Sequence, residues 1–549
     1  MHKPASKTMT VHAAIARDLT AHGVETMFGL IGDANLYIAD SFVRDCSGRF
    51  VAAAHEVNAV LMALGYGQVA GKVGVATVTH GPGVTNTLTA LIEGVKGSTP
   101  MVLLAGDTAV ADKDNFQNVP QREHILATGA GFEQLRTPAT LGEDMATAFR
   151  RAEFERRPIV LNIPADFQWQ KVEYRHVPYF LSEHRAVVQE SEDLDNAVGI
   201  IAAARSPIVL AGRGACDTRA KAALIRLAER IGAPLATTLK ARGLFNGEPF
   251  DLGVFGTLST DIAAETIGAA DCVVAFGAGL NNYTAGHGPY LDGKRVIQVN
   301  LEREEVGRVR VPEAGVVGDP ALTADRIVEL LDMAEIEPSA FRSETLREKI
   351  AANRIRPYLS KDNILGTVDI HTALIRLEKE FPADRVVVQD GGRFMMESWR
   401  VIQAPDPRSY VHTVNSASIG LGMGHAIGAA VAAKGRATVL ITGDGGFMLG
   451  GLTEFSTAVR QKLDLVVIVC NDNGYGAEYI QFRRKGMEPS LSLLNWPDLA
   501  PVAVALGGHG VTVRSERDLE TAAAAIADRK APLLIDVKLD PESLSAITF

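Results

Sequence analysis

Two aspartates, Asp444 and Asp472, each stand just beyond a short apolar run rich in β-branched residues, at 437–442 and 465–470. Runs of this length and composition read as buried parallel strands. Carboxylates at the carboxyl ends of two strands offer hard oxygen ligands. The first lies in Gly443-Asp444-Gly445-Gly446, where glycine lets backbone approach a ligand closely. With a Gly-rich helix N-terminus beside them, these groups suit a divalent cation holding a diphosphate. Two ordinary strand-end turns that contain Asp are the plainer alternative.

The elements that position these groups follow from periodicity. Leu452, Phe455, Val459 and Leu463 recur at helical spacing between the two runs, and the second run ends in Asn471-Asp472-Asn473-Gly474. Residues 437–476 therefore form a βαβ unit, whose ligands belong at the carboxyl ends of its strands. The first third of the chain has the same character. A helix over 11–22 and a strand over 26–28 lead to the turn Gly32-Asp33-Ala34-Asn35. A strand over 50–53 ends at His55-Glu56. A small-residue helix (58–69), a strand (74–79), the loop His80-Gly81-Pro82-Gly83, a helix (85–94) and a strand (101–105) closing in Gly106-Asp107 complete the run. Alternation at this spacing predicts an α/β fold of doubly wound parallel sheets. The order of elements over 63–107 is repeated over 421–472, so two related domains flank a third.

Two more charged, strand-poor stretches, 169–195 and 333–362, read as linkers. The domains are then 1–180, 190–340 and 360–549. The middle one holds strands over 207–211, 272–276 and 295–300, the first two followed by Gly212-Arg213-Gly214 and Gly277-Ala278-Gly279. This is Rossmann-like, but no full dinucleotide fingerprint with its acidic residue is present, so the domain reads as vestigial or structural.

Composition narrows the partners. The 549 residues are 47% hydrophobic and 22% charged, with a net charge of −10 and both signs mixed. No basic run points to nucleic acid or a membrane surface, and no apolar stretch is long enough to span a bilayer. Cys46, Cys216, Cys272 and Cys470 are scattered without metal-ligand spacing. They read as reduced, buried core residues of a cytoplasmic protein, and the N-terminus carries no apolar signal core.

Gly443-Asp444-Gly445 followed 28 residues later by Asp472 in Asn471-Asp472-Asn473 resembles the thiamine-diphosphate motif. His55-Glu56, Thr79-His80-Gly81-Pro82-Gly83 and Thr85-Asn86 are similar to the pyrimidine-binding domain of the acetolactate synthase, pyruvate decarboxylase and benzoylformate decarboxylase superfamily. The resemblance covers nearly the whole chain, in the order pyrimidine, central and diphosphate domain, and is closest in pattern to acetolactate synthase large subunits.

The resemblance implies roles for particular residues. Glu56 would hydrogen-bond the aminopyrimidine ring so that the cofactor can lose its C2 proton. Its place among Ala52, Ala53, Ala54 and Val57 suits a partly desolvated carboxylate. Asp444 and Asp472 through side chains and Gly474 through its carbonyl would bind Mg²⁺, with Gly443, Gly445, Gly446 and Tyr475 along the diphosphate. Asp472 departs from the more usual Asn. Ile419, in Ser416-Ala417-Ser418-Ile419-Gly420, would prop the bent cofactor.

Substrate-handling residues give mixed signals. Asp33 and Glu478 resemble acids of pyruvate decarboxylases. His80 lies near the position of the catalytic histidine of benzoylformate decarboxylases. Phe116-Gln117 looks like acetolactate synthase, with Gln117 lining the site. For each of these a local structural role is the alternative: a turn Asp, a helix-opening Glu, a loop His bonding backbone. FAD, carried by many acetolactate synthases, is doubtful, because the Arg-containing segment of those enzymes is here Gly279-Leu280-Asn281-Asn282-Tyr283. The expected activity is decarboxylation or carboligation of a 2-oxo acid through C2 carbanion chemistry. Cleavage or ligation of a hydroxyketone or diketone, a non-catalytic binding protein and a flavin-dependent oxidase are the alternatives. The superfamily builds its sites between subunits, which implies a homodimer or homotetramer.

Overall fold

The computed structural model describes residues 7–112, 114–181, 190–353 and 364–542. Among them are three six-stranded parallel sheets, plus a two-stranded antiparallel ribbon of Lys7–Thr10 with Lys171–Tyr174. In the N-terminal sheet the spatial order is Arg49–Ala52, Thr26–Gly29, Gly74–Val78, Met101–Asp107, Pro158–Pro164 and Gly131–Gln134. In the C-terminal sheet it is Tyr410–His412, Arg385–Gln389, Ala437–Gly443, Leu465–Asn471, Leu533–Lys538 and His509–Val513. Numbered within its own domain, each sheet runs 2-1-3-4-6-5. The internal echo in the sequence is thus a repeated topology. The central sheet, with Leu235–Thr237, Pro207–Ala211, Cys272–Phe276 and Arg295–Asn300 in its middle, instead runs 3-2-1-4-5-6, the doubly wound order.

Contacts divide the chain into two compact units, one of residues 1–182, 357–398 and 411–549, the other of residues 183–356 and 399–410. Segment 399–410 therefore folds with the central sheet. Asn246 fixes it there, its Nδ2 donating to the carbonyls of Ala404 (3.1 Å) and Pro405 (3.0 Å). The stretches expected to be linkers are partly structured: Lys171–Tyr174 is a strand, and Glu344–Ala352 is a helix capped by the Ser343 side chain. The remainder of both stretches includes residues 182–189 and 354–362, outside the described residues.

Within the first unit the N- and C-terminal domains meet through two helices, Glu56–Ala70 and Gly422–Ala432. Both are apolar all round and almost wholly buried, which suits helices covered by a sheet on one side and a partner helix on the other. Their small residues set the distance. A Cβ on Gly65 would lie 2.2 Å from the His425 carbonyl oxygen, and one on Gly428 would lie 1.9 Å from that of Met62. Backbone packs on backbone here, and a larger residue would force the helices apart.

Gly212, Gly214 and Gly277 of the central domain pack in the same way. A Cβ on Gly212 would sit 2.3 Å from the Gly277 carbonyl oxygen, and Gly214 packs against Gly277 as well. The two Gly loops after neighbouring strands fill each other's space.

Candidate active site

The C-terminal cluster gathers at the ends of Ala437–Gly443 and Leu465–Asn471, which pair in parallel register. The helix begins at Asp444 itself, eight residues before the first apolar position of the expected helical pattern, and passes through a π-helical turn, Phe447–Gly451, into Leu452–Arg460. Such turns are frequent at functional sites. Gly445 and Gly446 are consequently in the first turn, where amide N–H groups have no intrahelical acceptor.

Asp444 and Asp472 are both buried, 1% and 6% exposed, and their side chains face each other. Burial, reinforced by the Asp472 charge, pushes the Asp444 carboxyl well above the usual range. Burial also raises Asp472, with Glu478 adding to the effect and Arg393 opposing it. Among the described residues Asp444 Oδ2 has no hydrogen-bond partner. Two buried carboxylates, one oxygen of which lacks a donor, are costly unless a proton or cation lies between them.

The Asp472 loop is fixed by hydrogen bonds of its own. Asn473 adopts φ 70°, its N–H donates to Asn471 Oδ1 (3.1 Å), and Asn471 Nδ2 donates to Asp536 (2.8 Å). Gly474 bridges to Leu493, and its N–H reaches the Asp444 carboxylate. A Cβ on Gly476 would lie 1.8 Å from Asp472 Oδ2. Tyr475 covers Gly445, while Glu478 is exposed on the helix that follows.

The N-terminal cluster occupies the equivalent end of the other repeated sheet. Glu56 opens the Glu56–Ala70 helix; its side chain is 12% exposed, and Oε2 accepts from Asn86 Nδ2 (3.1 Å). Asn86 belongs to the loop after His80, where Pro82–Thr85 and Leu88–Gly97 are two helices rather than the single one expected. His80 is 5% exposed; Nδ1 contacts Thr79 Oγ1 at 3.4 Å, and Nε2 has no hydrogen-bond partner among the described residues. Asp33 is exposed in a turn built by Asn35, whose Oδ1 accepts from Gly32 N (2.8 Å), and this turn packs on Thr79. Gln117 is half-buried, with its carbonyl against Gly81. Glu56, His80, Asp33 and Gln117 thus share one sheet end, whereas Glu478 sits with Asp472 on the other.

Three residues passed over in the sequence organise the site. Asp390, at the end of Arg385–Gln389, is fully buried. Its Oδ1 accepts from Gly391 N (2.7 Å), and its Oδ2 accepts from Thr442 Oγ1 (3.0 Å) and Gly420 N (3.2 Å). Burial pushes this carboxyl up to about 6. It ties the Ile419 loop to the strand that delivers Asp444. The strand-then-Asp-Gly-Gly pattern of Gln389-Asp390-Gly391-Gly392 was the available signal.

The other two are Glu93 and Glu454, one in each repeated domain. Glu93 accepts from Asn415 N (2.9 Å), Asn415 Nδ2 (2.6 Å), Ser416 N (2.8 Å) and Ser416 Oγ (2.6 Å). Glu454 Oε1 accepts from Ala54 N (2.8 Å) and His55 N (3.0 Å). Each buried carboxylate thus clamps, across the domain boundary, the strand-end loop of the other domain: one loop leads to Ile419, the other to Glu56. No signal in either sequence neighbourhood identifies these long-range pairs.

Comparison with known proteins finds a thiamine-pyrophosphate-binding domain at each end of the chain. Residues 9–128 match the thiamine pyrophosphate enzyme N-terminal TPP binding domain, 194–327 the central domain, and 390–537 the C-terminal TPP binding domain. The chain belongs to the thiamine pyrophosphate enzyme family. Within that family it is acetolactate-synthase-like. It is 28% identical over 548 residues to the acetolactate synthase large subunit of Parasynechococcus marenigrum, covering 97% of this chain and 88% of that protein. It is also 28% identical over 566 residues to the 2-hydroxyacyl-CoA lyase of Arabidopsis thaliana, covering 96% and 95%. With the sulfoacetaldehyde acetyltransferase of Castellaniella defragrans it shares 26% over 563 residues, covering 96% and 92%. No helix among the described residues is long and apolar enough to cross a membrane.

Proposed function

We propose that this enzyme uses thiamine diphosphate and Mg²⁺ to decarboxylate a 2-oxo acid and join the retained fragment to a second carbonyl compound. The carrying observation is the buried Asp444–Asp472 pair, with Asp444 Oδ2 left without a donor at a glycine-rich helix start. That donor set fits a hard divalent cation. Asp444, Asp472 and the Gly474 carbonyl would hold Mg²⁺, and Gly443, Gly445, Gly446 and Tyr475 would line the diphosphate. Ile419 would support the cofactor between its ends. When bound, thiamine diphosphate supplies a nucleophilic carbon and an electron sink for bonds next to a carbonyl.

The chain's own residues do the rest. Glu56 holds the proton at the aminopyrimidine nitrogen, its carboxylate oriented by Asn86. The unpartnered Nε2 of His80 is available to give or take a proton from substrate, and Gln117 and Asp33 flank it on the same sheet end. Glu478 stands beside Asp472, where its charge acts on the cation site. The Phe116-Gln117 pattern and the acetolactate synthase relatives favour ligation over simple release of an aldehyde. The lyase relative supports a second reading, cleavage of a 2-hydroxy compound without loss of a carboxylate. We assign no flavin, since the segment Gly279-Leu280-Asn281-Asn282-Tyr283 lacks the arginine of flavin-carrying acetolactate synthases.

The superfamily that the sequence resembles completes such a site with a second copy of the chain, and the same is proposed here. A homodimer or homotetramer follows. The free cysteines, two of them buried, suit a reducing cytoplasm. A panel of 2-oxo acids and 2-hydroxy compounds, with thiamine diphosphate and Mg²⁺ present, tests the reading. CO₂ release coupled to a longer product is expected. Turnover of the hydroxy compounds alone, without CO₂, would replace it with the lyase.

A further inference from the structure

The N-terminal domain carries a second cluster of ligand atoms, on residues the cofactor chemistry does not use. Asp18 lies near the end of the Val11–Ala21 helix, and His22 follows one turn later on the same face. His176 arrives from the segment after Lys171–Tyr174, the strand that pairs with Lys7–Thr10. Asp18 is fully buried, the His22 side chain is 3% exposed and that of His176 is 31% exposed. Asp18 Oδ1 is 2.8 Å from His176 Nδ1 and accepts from the Tyr174 hydroxyl at 2.9 Å. Asp18 Oδ2 and His22 Nε2 lie 3.1 Å apart, yet both are buried and neither makes a hydrogen bond of normal geometry among the described residues. One ligand atom from each of the three residues falls within 4.8 Å of the others.

We propose that Asp18, His22 and His176 bind a divalent transition-metal ion of the zinc type. Ligands at about 2.0–2.2 Å from one tetrahedral ion stand about 3.3 Å from each other, close to the separation of the two orphaned atoms. The facing atoms of Asp18 and His22 make no well-formed hydrogen bond with each other, and an ion between them would satisfy both. Two imidazole nitrogens with one carboxylate select zinc, cobalt or nickel over magnesium or calcium, whose preferred ligands are all oxygen. The second-sphere group is present too: Tyr174 donates to Asp18 and fixes the carboxylate plane. The His22 ring is held between Phe149, stacked at 4.8 Å, and His176, edge-on at 4.6 Å. Partial exposure of His176 leaves a side from which water can supply a fourth ligand. The ion would pin the end of the first helix to the chain leaving the domain, a structural tie independent of turnover.

The test uses the full-length, untagged protein saturated with thiamine diphosphate and excess Mg²⁺, titrated with Zn²⁺ by calorimetry and with Co²⁺ by absorption. One zinc per chain is expected, with ligand-field bands of low-coordinate cobalt and a raised thermal midpoint. His176→Ala, at a partly exposed position, should weaken zinc binding at least tenfold and abolish the cobalt bands. His22→Ala should do the same, and His509→Ala, at an exposed histidine of the C-terminal domain, should leave both signals intact. Absence of stoichiometric zinc in the wild-type protein, or unchanged affinity in His176→Ala, would overturn the proposal.

Discussion

Replacing Glu93 by Gln changes one oxygen to an amide and leaves the shape intact, yet its cost should be large. The carboxylate accepts four hydrogen bonds, two at each oxygen, from Asn415 and Ser416. An amide keeps one acceptor oxygen. At the other end its NH₂ faces the Ser416 N–H and hydroxyl, of which only the hydroxyl can reorient to accept. One backbone N–H is left buried and unpaired, at about 1–3 kcal/mol, and the surviving bonds lose their charge assistance. The sum is about 2–4 kcal/mol, a large share of the stability of an ordinary domain. Glu454→Gln is the control supplied by the fold. Glu454 has two donors on Oε1 only, and its Oε2 is buried without a well-formed hydrogen bond. Burial raises its pKa, so a neutral isostere suits the position and the change should stay within about 1 kcal/mol. Urea unfolding of the two variants, without cofactor, gives the comparison. Equal midpoints, or a Glu93→Gln midpoint matching wild type, would show that the clamp on the Ile419 loop does not stabilise it as argued.

Other expectations follow from the same geometry. Mixing the Glu56→Gln and Asp444→Ala proteins after reversible dissociation should restore about a quarter of wild-type activity if each site draws on two subunits, and none if sites lie within one chain. Asp444→Ala should abolish Mg²⁺-dependent binding of thiamine diphosphate in calorimetry; unchanged affinity would remove the metal assignment. Asp390 binds its proton more tightly folded than unfolded, because burial lifts it from 3.8 to about 6. Its contribution is therefore most favourable below about pH 4 and is lost as pH rises through about 6, by about 3 kcal/mol in all. Asp390→Asn should flatten the stability–pH profile over that interval even if it lowers stability throughout; a parallel profile would contradict the burial argument.

The strands were legible because each is short, apolar and punctuated by glycine or a polar turn. Pro207–Ala211, Cys272–Phe276 and Arg295–Asn300 begin and end where their composition changes. The repeat was legible in the order of elements, and the identical strand order of the two sheets gives it physical form. Helix starts were less so. Asp444–Gly446 reads locally as a glycine turn, and only the following π turn and the packed Gly420 loop make it helical. The clamps at Glu93 and Glu454 were invisible for a different reason. Each partner lies several hundred residues away, so nothing local distinguishes these glutamates from exposed ones. The Asp18, His22 and His176 cluster is half local, an i, i+4 pair, and half tertiary, a histidine brought in by the ribbon.

The central claim is that Glu56 and the Asp444–Asp472 pair hold opposite ends of one cofactor whose reactive carbon is activated through Glu56. Hydrogen–deuterium exchange at that carbon, followed by quenched NMR on enzyme-bound thiamine diphosphate with Mg²⁺, addresses it directly. The wild-type protein should accelerate exchange over free cofactor, and Glu56→Gln should slow it by about 10²–10⁴-fold with the cofactor still bound. Equal exchange rates in the two proteins at full occupancy would contradict the account.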